Sequence, residues 1–333
     1  MKVLHITSHL GGGVGTVIMG WMGGISRYWE EDYTHEHRIA CLDYANDKAY
    51  SDIKSKEIDI ADEMIKYRGA VEEDITWADV TLVHYWDNPL LMELFSEPIP
   101  PCRLVFWHHN NIPVPPAVRY YPDVFVGTSP IQGYDKHIWS TGGVDRFLKI
   151  QPKEHEGFNI GYVGWVDYRK MHPNFIEMCK AIDIPDVRFT IVGKNNIGGA
   201  SGGKFTFTGL VDDVAPYLAE MDVFFYPLKK DHFGTSEQVI SESLAAGVVP
   251  VVMNNPCEKE ILNNGENGFI ARNEKEAVDC IEYLYHNKKN REWMSGNSRT
   301  KARLIYDINK MIYQWDSIFE EMMESPKKQR GLL

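Results

Sequence analysis

The sequence predicts an α/β protein with two parallel-sheet domains, and three observations predict it. Short apolar runs rich in β-branched residues alternate with segments of helical period, the signature of buried parallel strands joined by helices. The pattern stops at a polar stretch, Lys149 to Asn159, and then restarts. At 333 residues the chain also exceeds what one hydrophobic core usually carries, so two domains of roughly 150 residues each, with a cleft between them, are expected.

Taken in order, the strand-like runs of the first half are KVLHI, HRIACL, VTLVHYW, RLVFWHH and DVFVGTS. The first leads into HLGGGVGTV, where glycines at 11, 12, 13 and 15 allow a backbone to approach an anion closely. This turn is not a Walker loop, because no Lys-Ser/Thr follows, and Thr16 stands where a dinucleotide fingerprint needs its third glycine. The second half reads IGYVG, VRFTIVG, KFTFTG, DVFFYP, VPVVM and GFIA. Between its second and third runs GGASGGKF mimics Walker spacing, but Phe205 replaces the magnesium-binding hydroxyl, so the segment is read as a loop. At the end, Ile308, Met311, Ile312, Trp315, Phe319 and Met322 share one helical face, which must lie against an apolar surface.

Composition narrows the function classes. A formal charge of −12, from 47 acidic against 35 basic side chains, argues against nucleic acid as a partner, since a phosphate backbone needs a basic footprint. The clusters at Lys288, Lys289 and Arg291 and at Lys327, Lys328 and Arg330 read as solvated surface. Cys41, Cys102, Cys179, Cys257 and Cys280 are odd in number and widely spaced, which suggests neither a disulfide framework nor a zinc site. No run approaches the ~18 apolar residues of a membrane span, and the N-terminus lacks a signal-peptide core. A cytoplasmic protein, at most peripheral to a membrane, is expected.

In open parallel sheets ligands sit at the carboxyl ends of strands. Two turns there carry chemistry. GYVGWVDYRKMHPNF places Arg169, Lys170 and His172 after the first strand of the second domain, where a lysine is suited to neutralise a leaving diphosphate. FGTSEQVISESLAAG reads as a turn, an N-cap at Ser236 and a helix ending at Gly247. Glu237 and Glu242 lie about 140° apart around that helix, so they do not form one acid pair. Glu237 suits the positive helix N-terminus, whereas Glu242 sits among Val239, Ile240, Leu244 and Ala246 and needs a partner such as a pair of ribose hydroxyls.

Together, Glu242-Ser-Leu-Ala-Ala-Gly, the preceding FGTSEQ, NNPCEKEILNNGENGFI and GYVG…RKMHP resemble the donor half of a retaining family-4 glycosyltransferase of GT-B fold, from about Ile160 to Ala271. The resemblance implies two Rossmann-like domains facing a central cleft: residues 1–150 on the acceptor side, 151–305 on the nucleotide-sugar side, and 306–333 as a helix returning to the first domain. It implies that Glu242 holds the ribose and Lys170 the diphosphate, with Gly234, Thr235, Ser236 and Glu237 facing diphosphate and sugar. Gly12 and Gly13 would cover the phosphates, and His108 or the adjacent His109 would contact the transferred sugar. The chain departs from the family pattern at Gly234, where a second glutamate is usual and Glu237 is the nearest substitute. It departs again at Trp165, in place of an arginine that Arg169, Lys229 or Lys230 would replace.

The resulting expectation is sugar transfer from a nucleoside diphosphate donor such as a UDP- or GDP-sugar to a carbohydrate, glycolipid or small-molecule acceptor, with retention and without a metal or other cofactor. Trp86, Trp107, Tyr120 and Tyr121 are either an aromatic acceptor wall or core. Rival readings are a silent sugar-nucleotide or glycan-binding module, a nucleotide-sugar epimerase, and a nicotinamide enzyme, the last disfavoured by the incomplete glycine fingerprint.

Overall fold

A computed structural model describes residues 1–28, 33–56, 58–199 and 201–331. The chain divides into two compact units, Met1–Gly143 with Ile308–Leu333, and Val144–Asp307. Ala200 of the Walker-like loop and the last two residues of the tail lie outside the described residues.

The first unit is built on a seven-stranded parallel sheet. Its strands are β1 (Lys2–Thr7), β2 (Glu36–Cys41), β3 (Asp59–Ala61), β4 (Val80–Tyr85), β6 (Leu104–His108), β7 (Val124–Gly127) and β8 (Lys136–His137), with β5 (Ile99–Cys102) apart from it. The order is β3-β2-β1-β4-β6-β7-β8. All six residues of β4 and all five of β6 are buried, as near-continuous hydrophobic strands require. A helix, Gly12–Tyr28, leaves β1 and packs so closely that a side chain on Gly20 would overlap the backbone of Gly142.

The second unit carries β9 (Phe158–Val163), β10 (Val187–Val192), β11 (Phe205–Gly209), β12 (Val223–Tyr226), β13 (Val249–Met253) and β14 (Phe269–Ala271). They form a parallel sheet in the order β11-β10-β9-β12-β13-β14. The units part at Gly143/Val144, earlier than the polar stretch suggests. The reason is Arg299, whose guanidinium donates to the carbonyls of Leu148 and Ile150 and to those of Ala245 and Ala246, tying this segment to the second unit.

The terminal helix, Ile308–Met323, belongs to the first unit and buries the whole apolar face read from its sequence. Trp315 stacks on Trp21 with centroids 5.4 Å apart and meets Trp107 edge-on at 4.9 Å. Trp107 is therefore core, not part of an acceptor wall. Beyond that helix β15 (Lys328–Arg330) pairs antiparallel with β5, and Lys328 and Arg330 both engage Asp123. Among the described residues no helix is long and apolar enough to cross a membrane.

Candidate functional site

Three neighbouring strands of the second unit, β9, β12 and β13, each deliver side chains from their carboxyl ends to one buried cluster. After β9 the chain turns back through Lys170, and this turn is fixed against the segment after β12 by the Lys229 N–H donating to the Lys170 carbonyl at 2.9 Å. The Lys170 ammonium thereby reaches the Glu237 carboxylate, Nζ to Oε2 2.9 Å. Tyr226, the last residue of β12, donates its hydroxyl to the same oxygen at 2.8 Å.

Glu237 is held there by an unusual backbone. The helix begins at Gln238, two residues after the predicted cap, and Glu237 precedes it in the left-handed region with φ 33° and ψ 69°. A glutamate in this region stores strain of order 1 kcal/mol, which the surrounding contacts must hold. Ser236 is not the N-cap; it is buried with Thr235 in the turn. The helix does end at Gly247, whose φ of 75° needs glycine.

On the far side of the cluster His232 Nδ1 accepts from the Gly234 N–H at 3.1 Å. Its Nε2 consequently carries the proton and donates to Glu258, 3.2 Å from Oε1. Glu258, fully buried, also accepts from Asn255 Nδ2 at 3.0 Å. Burial pushes the Glu237 carboxyl upward, but the Lys170 ammonium and the hydrogen bonds from Lys170 and Tyr226 outweigh it and hold Glu237 below its usual value. Burial, reinforced by the Glu237 charge, drives the Tyr226 hydroxyl well above its usual value.

Gly234 has a definite spatial role. A side chain there would overlap Glu237 Oε1, so the two positions compete for one volume and Glu237 fills it. Glu242 lies one turn into the helix, partly exposed, and its carboxylate has no hydrogen-bond partner among the described residues. Burial raises its carboxyl to about 7, against the opposing pull of Arg146.

Arg169 does not join this cluster. Its guanidinium forks onto Asp167, with Nη2 2.7 Å from Oδ2, and lies over the exposed Trp165 ring at 5.2 Å. Gly12 and Gly13 open the first helix of the other unit, at the carboxyl end of β1. His108 is buried with both ring nitrogens engaged, Nδ1 with Tyr134 at 2.9 Å and Nε2 with Asn110 at 2.8 Å. His109, partly exposed, bonds His84 at 3.1 Å. Sequence reasoning missed Tyr226, His232, Asn255 and Glu258. The signals were a tyrosine closing a buried strand and an acidic residue in NNPCEKE where a short helix starts.

Residues 144–301 match the family model described as glycosyl transferases group 1. Comparison with curated protein sequences gives no match. Among solved structures, a glycosyltransferase from Rickettsia africae ESF-5 superposes with a TM-score of 0.77 at 13% identity, over 97% of this chain and 99% of that one. Anabaena HepE, solved in complex with UDP-glucose, gives 0.74 at 13% identity, over 96% of this chain and 100% of that one. Sucrose-phosphate synthase from Thermosynechococcus elongatus gives 0.70 at 12% identity, over 97% and 100%. Likeness at such identities speaks for the fold, two Rossmann-like domains of the GT-B class. The group 1 match runs across the second unit, and the chain as a whole has the GT-B fold.

Proposed function

We propose that the second unit binds a nucleoside diphosphate sugar and that the chain transfers the sugar to an acceptor hydroxyl with retention of configuration. The observation that carries this reading is Lys170, an ammonium held at the carboxyl end of β9 against a buried carboxylate. In the transfer, negative charge develops on the leaving diphosphate, and a fixed ammonium in a partly desolvated site stabilises it by several kcal/mol, by analogy with about 3 kcal/mol for one oxyanion donor. Glu242, without a protein partner, accepts the two ribose hydroxyls, which supply the hydrogen bonds its burial demands.

Glu237 fixes Lys170 and offers its second oxygen to the donor sugar, taking the place of the glutamate absent at position 234. Lys170 supplies the positive charge in this scheme, so no metal is assigned a role. Of the two histidines, His108 has both ring nitrogens engaged by Tyr134 and Asn110, and either His108 or His109 faces the sugar in this reading. The Arg169 guanidinium, held by Asp167, is left out of the diphosphate contacts. Carbohydrate, glycolipid and small-molecule acceptors all fit, and UDP is the first nucleotide to test, because Anabaena HepE was solved with UDP-glucose.

The test is thermal stability with UDP, GDP and ADP, each with and without magnesium or EDTA, followed by transfer assays with the matching sugars. A diphosphate at ~100 times its dissociation constant stabilises by about 2.7 kcal/mol. Stabilisation by one diphosphate, lost in Glu242→Ala and Lys170→Ala, is expected; no shift with any of the three would overturn the donor site.

A further inference from the structure

Four histidines cross the sheet of the first unit in a diagonal line. In the parallel register His37 on β2 is opposite Val3, His5 on β1 is opposite Leu82, and His84 on β4 is opposite Trp107. Each next ring thus sits two residues further along its strand on the same face, and His109, just past β6, completes the step. The rings touch end to end: His37 Nδ1 to His5 Nε2 2.8 Å, His5 Nδ1 to His84 Nε2 3.1 Å, and His84 Nδ1 to His109 Nε2 3.1 Å. At the other end His37 Nε2 meets the Tyr33 hydroxyl at 2.9 Å, and that hydroxyl donates to Asp316 Oδ1 of the terminal helix at 3.2 Å. His5 and His84 are fully buried, and Trp21 and Trp107 pack against them. Among the described residues no group of three His, Cys, Asp or Glu is arranged to hold a metal ion.

A neutral imidazole donates from one nitrogen and accepts at the other, so such a line has only two consistent states. With Asp316 ionised, Tyr33 donates to it, and every histidine carries its proton on Nε2, leaving His109 Nδ1 an acceptor. With Asp316 protonated, every bond reverses, and His109 Nδ1 becomes a donor. We infer that this line is a proton relay that joins His109 to Asp316 and lets the ionisation of Asp316 set the tautomer of His109. In passage, a proton arriving at His109 Nδ1 displaces the Nε2 proton to His84 Nδ1. The shift repeats through His5, His37 and Tyr33, and the last proton forms the O–H bond of Asp316. One proton enters, one carboxylate is protonated, and no ring stays charged.

Burial opposes a resident charge on the rings, lowering His5 and His109 to about 3, and it raises Asp316 to about 6, so the carboxylate is where the proton rests. The titratable groups facing Asp316 are Tyr33, His35 at 3.8 Å and Glu320 on the same helix, with the amino terminus beside His35. His5, His37 and His84 are positioning residues in this scheme, and the inference stands whether or not the donor reading does.

The test needs no sugar. In nitrogen NMR of histidine-labelled protein, with His109 assigned through His109→Gln, lowering the pH from 7.5 to 5 should move the protonated nitrogen from Nε2 to Nδ1 in all four rings together. The midpoint should lie near the titration of Asp316, without imidazolium signals. Asp316→Asn and Tyr33→Phe should abolish the pH dependence; Tyr33→Phe keeps the ring and removes only the hydroxyl, so it carries the test if the other variant folds poorly. Tautomers that stay fixed, rings that titrate one by one, or a switch that survives in either variant would overturn the relay.

Discussion

The carboxylate of Glu237 occupies the volume that a side chain on Gly234 would need. Because Lys170 and Tyr226 pin that carboxylate, it has no easy retreat. Gly234→Ala should therefore expel it from the cluster and lower sugar-transfer turnover by ~10²-fold, the scale of losing one positioned charge contact. The exchange Gly234→Glu with Glu237→Gly should recover much of the loss. Rates of nucleotide release for the three proteins decide it; full activity in Gly234→Ala would show that the carboxylate is dispensable.

Removing Lys170 leaves a buried anion alone. Lys170→Met should destabilise the second unit by about 3–5 kcal/mol, the usual result of stranding one partner of a buried pair. Adding Glu237→Gln should return a large part of that. Urea denaturation of the single and double variants forms the cycle, and additive effects would mean that the two side chains do not interact.

Glu242 trades stability for binding. Its carboxyl rises from 4.5 to about 7 in the folded protein, so its favourable contribution is complete below pH 4.5 and lost as pH rises through 7. At pH 8 the ionised, unpartnered carboxylate weakens the ligand-free protein, and Glu242→Gln should stabilise it by roughly 2 kcal/mol. The same variant should weaken nucleotide binding by ~10-fold, since two charge-assisted hydrogen bonds become neutral ones. Melting curves at pH 8 and pH 5, with and without UDP, separate the effects; a destabilised variant at pH 8 would refute the assignment.

Acid should unfold the first unit early. Burial lowers His5 and His109 to about 3 and His108 to about 4, and it depresses His37 and His84 as well. Depressed groups contribute stability that is present above the unfolded value, near 6.5, and lost as pH falls toward the folded ones. Each histidine then removes up to about 1.4 kcal/mol per pH unit. Near-ultraviolet circular dichroism should report loss of the Trp21–Trp107–Trp315 packing between about pH 5 and 4, and a melting temperature flat from pH 7 to 4.5 would contradict this.

What was legible in the sequence was local. Runs such as VFFY and VPVVM declare buried strands because every residue points into a core, and the apolar face of the terminal helix is a matter of period alone. Strands β3 and β8, of three and two residues, are too short to show a pattern. The position of Lys170 in the turn after β9 and of Glu242 among apolar helical neighbours was readable from local pattern alone. The exact place of the Glu237 carboxylate was not, because it depends on a left-handed backbone that folds the side chain back beneath Gly234. His5, His37 and His84 looked incidental for a similar reason: only the strand register brings residues so distant in sequence into one line with His109.

The terminal helix follows the second unit in sequence, yet it completes the first. Until it emerges, Trp21 and Trp107 lack Trp315, and β5 lacks its β15 partner. The first unit therefore waits in an unfinished state while the second, contiguous in sequence, is free to fold. Halves separated at Gly143 should behave unequally: Val144–Asp307 as a soluble fragment, and the amino-terminal piece as an aggregation-prone one, rescued by grafting the terminal helix back onto it through a linker.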